Sequence, residues 1–187
     1  MLNGKKKFQV IDWNDSNFDE DKIIIKSRVF ESLDDLNNLG LDDGYAIAVG
    51  YNPSNKTSFN DDKTNLYLRD KIRKLNQGKY KGYILVNLIP EISSNMKQVG
   101  AKSVDKNYIN ELVKLISAEP SKTIILFFGK AGVNLINNDD FNELKTRLSN
   151  AKDRIYYAAK NGEIVHPGRR GDGYELIAWK EDILDKN

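Results

Sequence analysis

From residue 45 onward the chain alternates continuous apolar runs with amphipathic stretches, and this rhythm limits its folds more than any other feature. Tyr45–Val49, Tyr83–Val86 and Thr123–Phe128 are apolar throughout, as strands buried on both faces are. Between them, Leu68, Ile72 and Leu75 share one helical face. Tyr108, Leu112 and Leu115 share another, behind Asp105 as a cap. Phe141, Leu144 and Leu148 give a third, with Asp140 as its cap. Arg154–Ala158 and Glu163–Val165 read as strands around Asn161-Gly162, and Tyr174–Trp179 as a last strand. Such alternation predicts a parallel sheet covered on both faces, with right-handed crossovers. The expected fold class is α/β, a three-layer α/β/α arrangement around a central, mostly parallel four-stranded sheet. Phe8–Ile11 and Ile23–Phe30 add extra N-terminal strands, and Leu33–Leu41 a short helix. Residues 1–187 read as a single domain, with 1–40 an N-terminal extension packing on the core and 45–170 the core itself.

Composition acts mainly by exclusion. The chain has no cysteine, which removes a disulfide scaffold, a thiolate metal site and a cysteine nucleophile. That fits a reducing compartment, and a cytoplasmic location is the expectation. The start, Met1 to Lys7, is basic but lacks the apolar stretch of a secretory signal. The longest strongly apolar run, Ile124–Phe128, is far short of a membrane span, so no membrane partner is expected. Net charge is only +2, from 29 basic and 27 acidic residues, which is low for a general polyanion binder. The basic residues are clustered, however. Arg69, Lys71, Arg73, Lys74, Lys79 and Lys81 face the single acid Asp70, and Arg169-Arg170 follow the only histidine. Such a run is either a phosphate-binding face or a solvated helix face.

In open parallel sheets ligands bind beyond the carboxyl ends of the strands. Four loops of this sequence fall there: Gly50-Tyr51-Asn52-Pro53-Ser54, Asn87-Leu88-Ile89-Pro90, Gly129-Lys130-Ala131-Gly132 and His166-Pro167-Gly168-Arg169-Arg170. They carry three of the four prolines, which set rigid turns able to hold polar side chains in place. The common nucleotide signatures are missing. Gly129-Lys130 has no matching upstream glycine and no hydroxyl after the lysine, and no G-x-G-x-x-G is present. One histidine and no cysteine argue against a zinc hydrolase, and no G-x-S-x-G elbow supports a serine triad. No metal and no cofactor are expected.

Taken in order, the four loops resemble the uracil-DNA glycosylase superfamily over roughly residues 45–170. Gly50-Tyr51-Asn52-Pro53-Ser54 is similar to the Gly-Ile-Asn-Pro-Gly motif of its mismatch-specific uracil and thymine branch. Leu85-Val86-Asn87-Leu88 resembles the apolar strand that ends in a base-reading asparagine. Ile125 to Ala131 resembles the apolar strand followed by Gly-x-x-Ala, and His166-Pro167-Gly168 the late His-Pro-Ser loop. The same residues also resemble an uncharacterised bacterial and phage family. That family carries Asn-Pro-Ser, a following Asp and Thr (here Asp61, Asp62 and Thr64) and a late His-Pro.

The first resemblance implies a glycosylase-like fold and a DNA glycosylase. Such an enzyme flips a mismatched or modified base into a pocket and hydrolyses its N-glycosidic bond, leaving an abasic site. The bulkier modified bases of phage genomes are among the candidate substrates, with a role in phage defence as the corollary. DNA would be the partner of a monomeric protein. Asn52 and His166 would be catalytic, Asn52 orienting a water and His166 donating to a base carbonyl. Gly50, Tyr51, Pro53, Ser54, Asn87 and Gly129 would bind the base and its sugar. Asn87 would read an edge with one acceptor and two donors. Lys130, Pro167, Gly168, Arg169 and Arg170 would contact DNA.

Each assignment has a plainer alternative. Asn52 could serve an Asn-Pro turn, Asn87 could satisfy loop backbone, His166 could tie down its own loop and Tyr51 could be core. Asp61 and Asp62 suit capping of the helix near Thr64 better than catalysis. Two other functions stay open: an enzyme of free nucleotides or nucleosides on the same fold, and an inactive nucleotide- or DNA-binding module.

Overall fold

The computed structural model describes residues 8–13, 25–53, 63–75, 80–92, 104–119, 121–167, 173–180 and 183–184. The strands are β1 (Phe8–Trp13), β2 (Ile25–Phe30), β3 (Tyr45–Gly50), β4 (Gly82–Asn87), β5 (Ile124–Leu126), β6 (Ile155–Lys160), β7 (Glu163–Ile164) and β8 (Glu175–Ala178). The helices are α1 (Leu33–Asn37), α2 (Lys63–Lys74), α3 (Lys106–Ala118), α4 (Gly129–Ile136) and α5 (Asn142–Asn150).

All these strands form one eight-stranded sheet of mixed direction. Its centre is parallel: β4, β3, β5 and β6 lie side by side in that order. Its flanks are antiparallel, with β1 on β4, β2 on β1, and both β7 and β8 on β6. The expectation of a four-stranded sheet therefore counts only the parallel centre; the flanking segments, themselves read as strands, belong to the same sheet. The parallel centre alternates with helices and is legible by period. Of the added strands on the β6 side, β7 is a hairpin return and β8 pairs antiparallel on the opposite side of β6, while β1 docks on β4 and β2 on β1 as members of the same sheet.

Side chains alternate between the two faces. Ile47, Val49, Ile84, Val86, Ile124 and Leu126 point to the first face, where α1, α3, α4 and α5 cover them. Ala46, Ala48, Tyr83, Leu85, Ile125 and Phe127 point to the second, where Leu68 and Ile72 of α2 pack with Trp13, Tyr80 and Tyr174. Helices thus cover both faces, but unevenly.

Local rules explain most element ends. Asp105 Oδ1 accepts from the N–H groups of Asn107 and Tyr108 at 3.1 and 3.3 Å, the N-cap its position suggests. Asn161 and Gly162 take φ of 53° and 79°, as a two-residue hairpin requires, and join β6 to β7. Two expectations need correction. The Gly129–Gly132 stretch is no loop but the first turn of α4, which follows β5 after only Phe127 and Phe128. Asp140 does not cap α5, because Asp139–Phe141 forms a separate 3-10 turn before it.

Candidate active site

β3 and β4 remain joined beyond their last paired residues. The Leu88 N–H donates to the Gly50 carbonyl at 2.9 Å, and the Ile89 N–H to the Tyr51 carbonyl at 3.0 Å. The loops that carry Asn52 and Asn87 are thereby fixed to one another. Strand alternation places Gly50, Asn87 and Phe127 on the second face. A Cβ on Gly50 would lie 2.5 Å from Asn87 Oδ1 and 2.7 Å from Phe127 Cζ, so only glycine leaves room for these two side chains.

Asn87 is only 5% exposed, yet its side-chain amide makes no hydrogen bond to any described residue. Its peptide, by contrast, is held firmly. The Tyr108 hydroxyl donates to the Asn87 carbonyl at 2.7 Å and accepts from the Asn87 N–H at 3.4 Å. The backbone is anchored while the amide keeps its hydrogen-bonding capacity for something else.

His166 reaches the same place by an unexpected path. β8 occupies one side of β6 from Tyr156 to Ala159, and β5 pairs with the other side only as far as Tyr157. Ala159 pairs with both β7 and β8, so β7 lies on the β5 side, above the end of that three-residue strand. The Val165 N–H donates to the Ala158 carbonyl at 2.8 Å and carries the chain down to the start of α4. There Gly129, at φ 65°, lets the backbone turn and the histidine approach; a Cβ would sit 3.0 Å from His166 N. The imidazole lies 6.1 Å from the Phe127 ring, tilted by 51°.

Gly50, Asn87, Phe127, Gly129 and His166 therefore form one contiguous wall. Asn52 stands at the next turn, half-buried, its Nδ2 donating to the Pro53 carbonyl at 3.2 Å. Pro53 and Pro167 are buried. Tyr51 is not part of this wall: it packs into the first-face core, and burial pushes its phenol above the ordinary tyrosine range. Lys130 is exposed and its ammonium lies 2.9 Å from the Glu163 carboxylate, which fastens the β6–β7 hairpin to α4. Ser54, Asp61, Asp62, Gly168, Arg169 and Arg170 lie outside the described residues.

Three members of the basic run that begins at Arg69 are engaged separately. Arg69 pairs with Asp70 at 2.6 Å, and the Lys71 ammonium sits 5.3 Å above the Tyr174 ring. Lys81 meets Asp42 at 2.6 Å beside the amino end of β4, away from the wall. Lys79 lies outside the described residues.

Two residues of the site escape sequence reasoning. Phe127 looks like one more apolar strand residue; its signal is its place, last on the second face before a glycine with positive φ. Tyr108 looks like a core residue of its helix, and its hydroxyl partner is remote in sequence. Among the described residues no group of three or more His, Asp or Glu side chains is placed to hold a metal ion. Nor is any helix among them long and apolar enough to cross a membrane.

No curated protein and no solved structure matches this chain. A family model described as protein of unknown function (DUF1643) matches residues 38–168, a span containing all five residues of the wall together with Asn52, and the chain belongs to that family.

Proposed function

We propose that the wall of Gly50, Asn87, Phe127, Gly129 and His166 borders a crevice that binds a nucleobase, and that the protein hydrolyses its N-glycosidic bond in the manner of a DNA glycosylase acting as a monomer. The observation that carries this reading is Asn87, a nearly buried residue whose amide makes no hydrogen bond to any described residue, on a backbone anchored by Tyr108. One acceptor and two donors on a rigid loop suit the hydrogen-bonding edge of a base. Phe127 packs against His166 beside it, and His166 would supply a donor to a base carbonyl oxygen. Charge gathers on the departing base as the sugar becomes cationic, and donors fixed in advance stabilise that charge. Asn52 would orient the attacking water; an amide is too weak a base to deprotonate it. Such an enzyme depends on a base that is already a good leaving group.

A second reading, a hydrolase of free nucleosides or nucleotides, is favoured by the charges. Lys130 is matched by Glu163, and Lys81 lies at the far end of the sheet, so these lysines do not line the wall as DNA contacts.

One experiment separates the two. The protein is incubated with duplex and single-stranded DNA carrying uracil, G·T mismatches or modified cytosines, and in parallel with free nucleosides and nucleotides. Released base is measured by chromatography, and abasic DNA by alkaline strand cleavage. Release from DNA that falls in Asn52→Ala, Asn87→Ala and His166→Ala supports the glycosylase. Release from free nucleotides alone supports the second reading. A well-folded protein that releases no base from any substrate overturns both.

A further inference from the structure

The Asn87 peptide lies just past the described β1–β4 register, which ends at Phe8 and Val86. Beyond that pair β1 offers it no described partner strand, and a residue of α3 stands in. The Tyr108 hydroxyl both donates to the Asn87 carbonyl, at 2.7 Å, and accepts from the Asn87 N–H, at 3.4 Å. Tyr108 is itself fixed along its length. Its N–H donates to the capping Asp105 carboxylate, and its ring packs 6.0 Å from that of Phe8. The side chain is almost wholly buried, and burial raises the phenol well above the ordinary tyrosine range. Glu111 and Glu91 add to that rise, while the bond to Asn87 opposes it. The hydroxyl therefore stays protonated and remains a donor at any physiological pH.

We infer that Tyr108 is a positioning residue: by gripping both polar groups of the Asn87 peptide it aims the Asn87 amide into the crevice. This rests on the reading of that crevice as a nucleobase site, and it makes the first turn of α3 part of the recognition apparatus. Rigid loops alone fix Asn87 toward β3, through the Leu88–Gly50 bond. Among the described residues, only the Tyr108 hydroxyl holds the Asn87 N–H and carbonyl from the opposite side.

The test compares Tyr108→Phe, which keeps the ring and removes the grip, with Leu112→Ala, which loosens the same buried helix face without touching Asn87. The first readout is the side-chain amide signal of Asn87 in 15N-labelled protein, identified by its loss in Asn87→Asp. We expect that signal to shift and broaden in Tyr108→Phe and to keep its position in Leu112→Ala. The second readout is base release. KM should rise about fivefold in Tyr108→Phe, the equivalent of one neutral hydrogen bond, with a smaller change in kcat. An Asn87 amide signal unmoved by Tyr108→Phe, or moved equally by Leu112→Ala, overturns the positioning role. If the wild-type protein releases no base, the functional reading falls, and the amide signal still decides the role of Tyr108.

Discussion

Two buried polar side chains at opposite ends of the parallel strands are treated in opposite ways. At the amino ends, Lys122 is 2% exposed and its ammonium is fully engaged. It donates to the carbonyls of Leu41 at 3.1 Å and Asp42 at 2.9 Å, and lies 3.4 Å from the Glu119 carboxylate. Arg154 beside it donates to the carbonyls of Ile116, Glu119 and Lys122, which closes the carboxyl end of α3. At the carboxyl ends, Asn87 is nearly as buried, and its amide bonds to no described residue. A buried group with every bond made is a fastening. A buried group with bonds to spare, on an anchored backbone, is a socket. Burial alone does not distinguish them; hydrogen-bond accounting does.

The contrast can be broken by mutation. Lys122→Ala should cause the largest loss of stability, about 3–5 kcal/mol in urea unfolding, because it strands two carbonyls and a carboxylate. A loss below about 1 kcal/mol would mean that water replaces the ammonium, and the amino end would no longer count as a fastening. Gly50→Ala should come next, at about 1–3 kcal/mol from crowding against Asn87 and Phe127, with base binding lost. Binding that survives it would show that the amide is not held where recognition needs it.

Asn87→Ala sharpens the comparison from the other side. Removing an amide that makes no hydrogen bond to a described residue should change stability by less than about 1 kcal/mol while removing base release. A loss as large as that of Lys122→Ala would make Asn87 a structural residue. The smallest effect is expected at Asp42. The bond from Lys81 and that from the Gly44 N–H hold its carboxyl below the ordinary range. A carboxyl with a depressed folded-state pKa contributes stability above its unfolded pKa and loses it as pH falls through the folded value. Asp42→Asn should therefore lower the unfolding midpoint slightly at neutral pH and not at all in strong acid. Both partners are more than half exposed, so the effect stays under about 1 kcal/mol.

The sequence makes the parallel centre of the fold legible and the site only in part. β3, β4 and α3 are plain because each obeys one period, and Asp105 is plain because capping is a local act. The flanking strands are harder. β7 has two residues, and its place is set by the shortness of β5, a property of the assembled sheet. α4 is masked by its glycines, since Gly129-Lys130-Ala131-Gly132 reads as a turn although the backbone is helical. In the site, Gly50, Asn87, Gly129 and His166 could be singled out by their places after strands. Phe127 and Tyr108 could not, because an apolar strand residue and a helix-face tyrosine look the same whether they fill a core or build a wall.

The shortness of β5 also sets an order of events. The lane above it is filled by a hairpin from much later in the chain, and His166 arrives only with that hairpin. Gly129 and His166 are 37 residues apart, as are the β3–β4 partners Tyr45 and Gly82, so the difference lies in synthesis, which delivers β3 and β4 well before residues 163–166. A nascent chain that has not yet delivered residues 163–166 can hold its parallel strands but has only half a crevice. Hydrogen exchange on stalled nascent chains should find the β3 amides protected before residues 163–166 have emerged; protection that begins only with those residues would show that sheet and crevice are one cooperative unit.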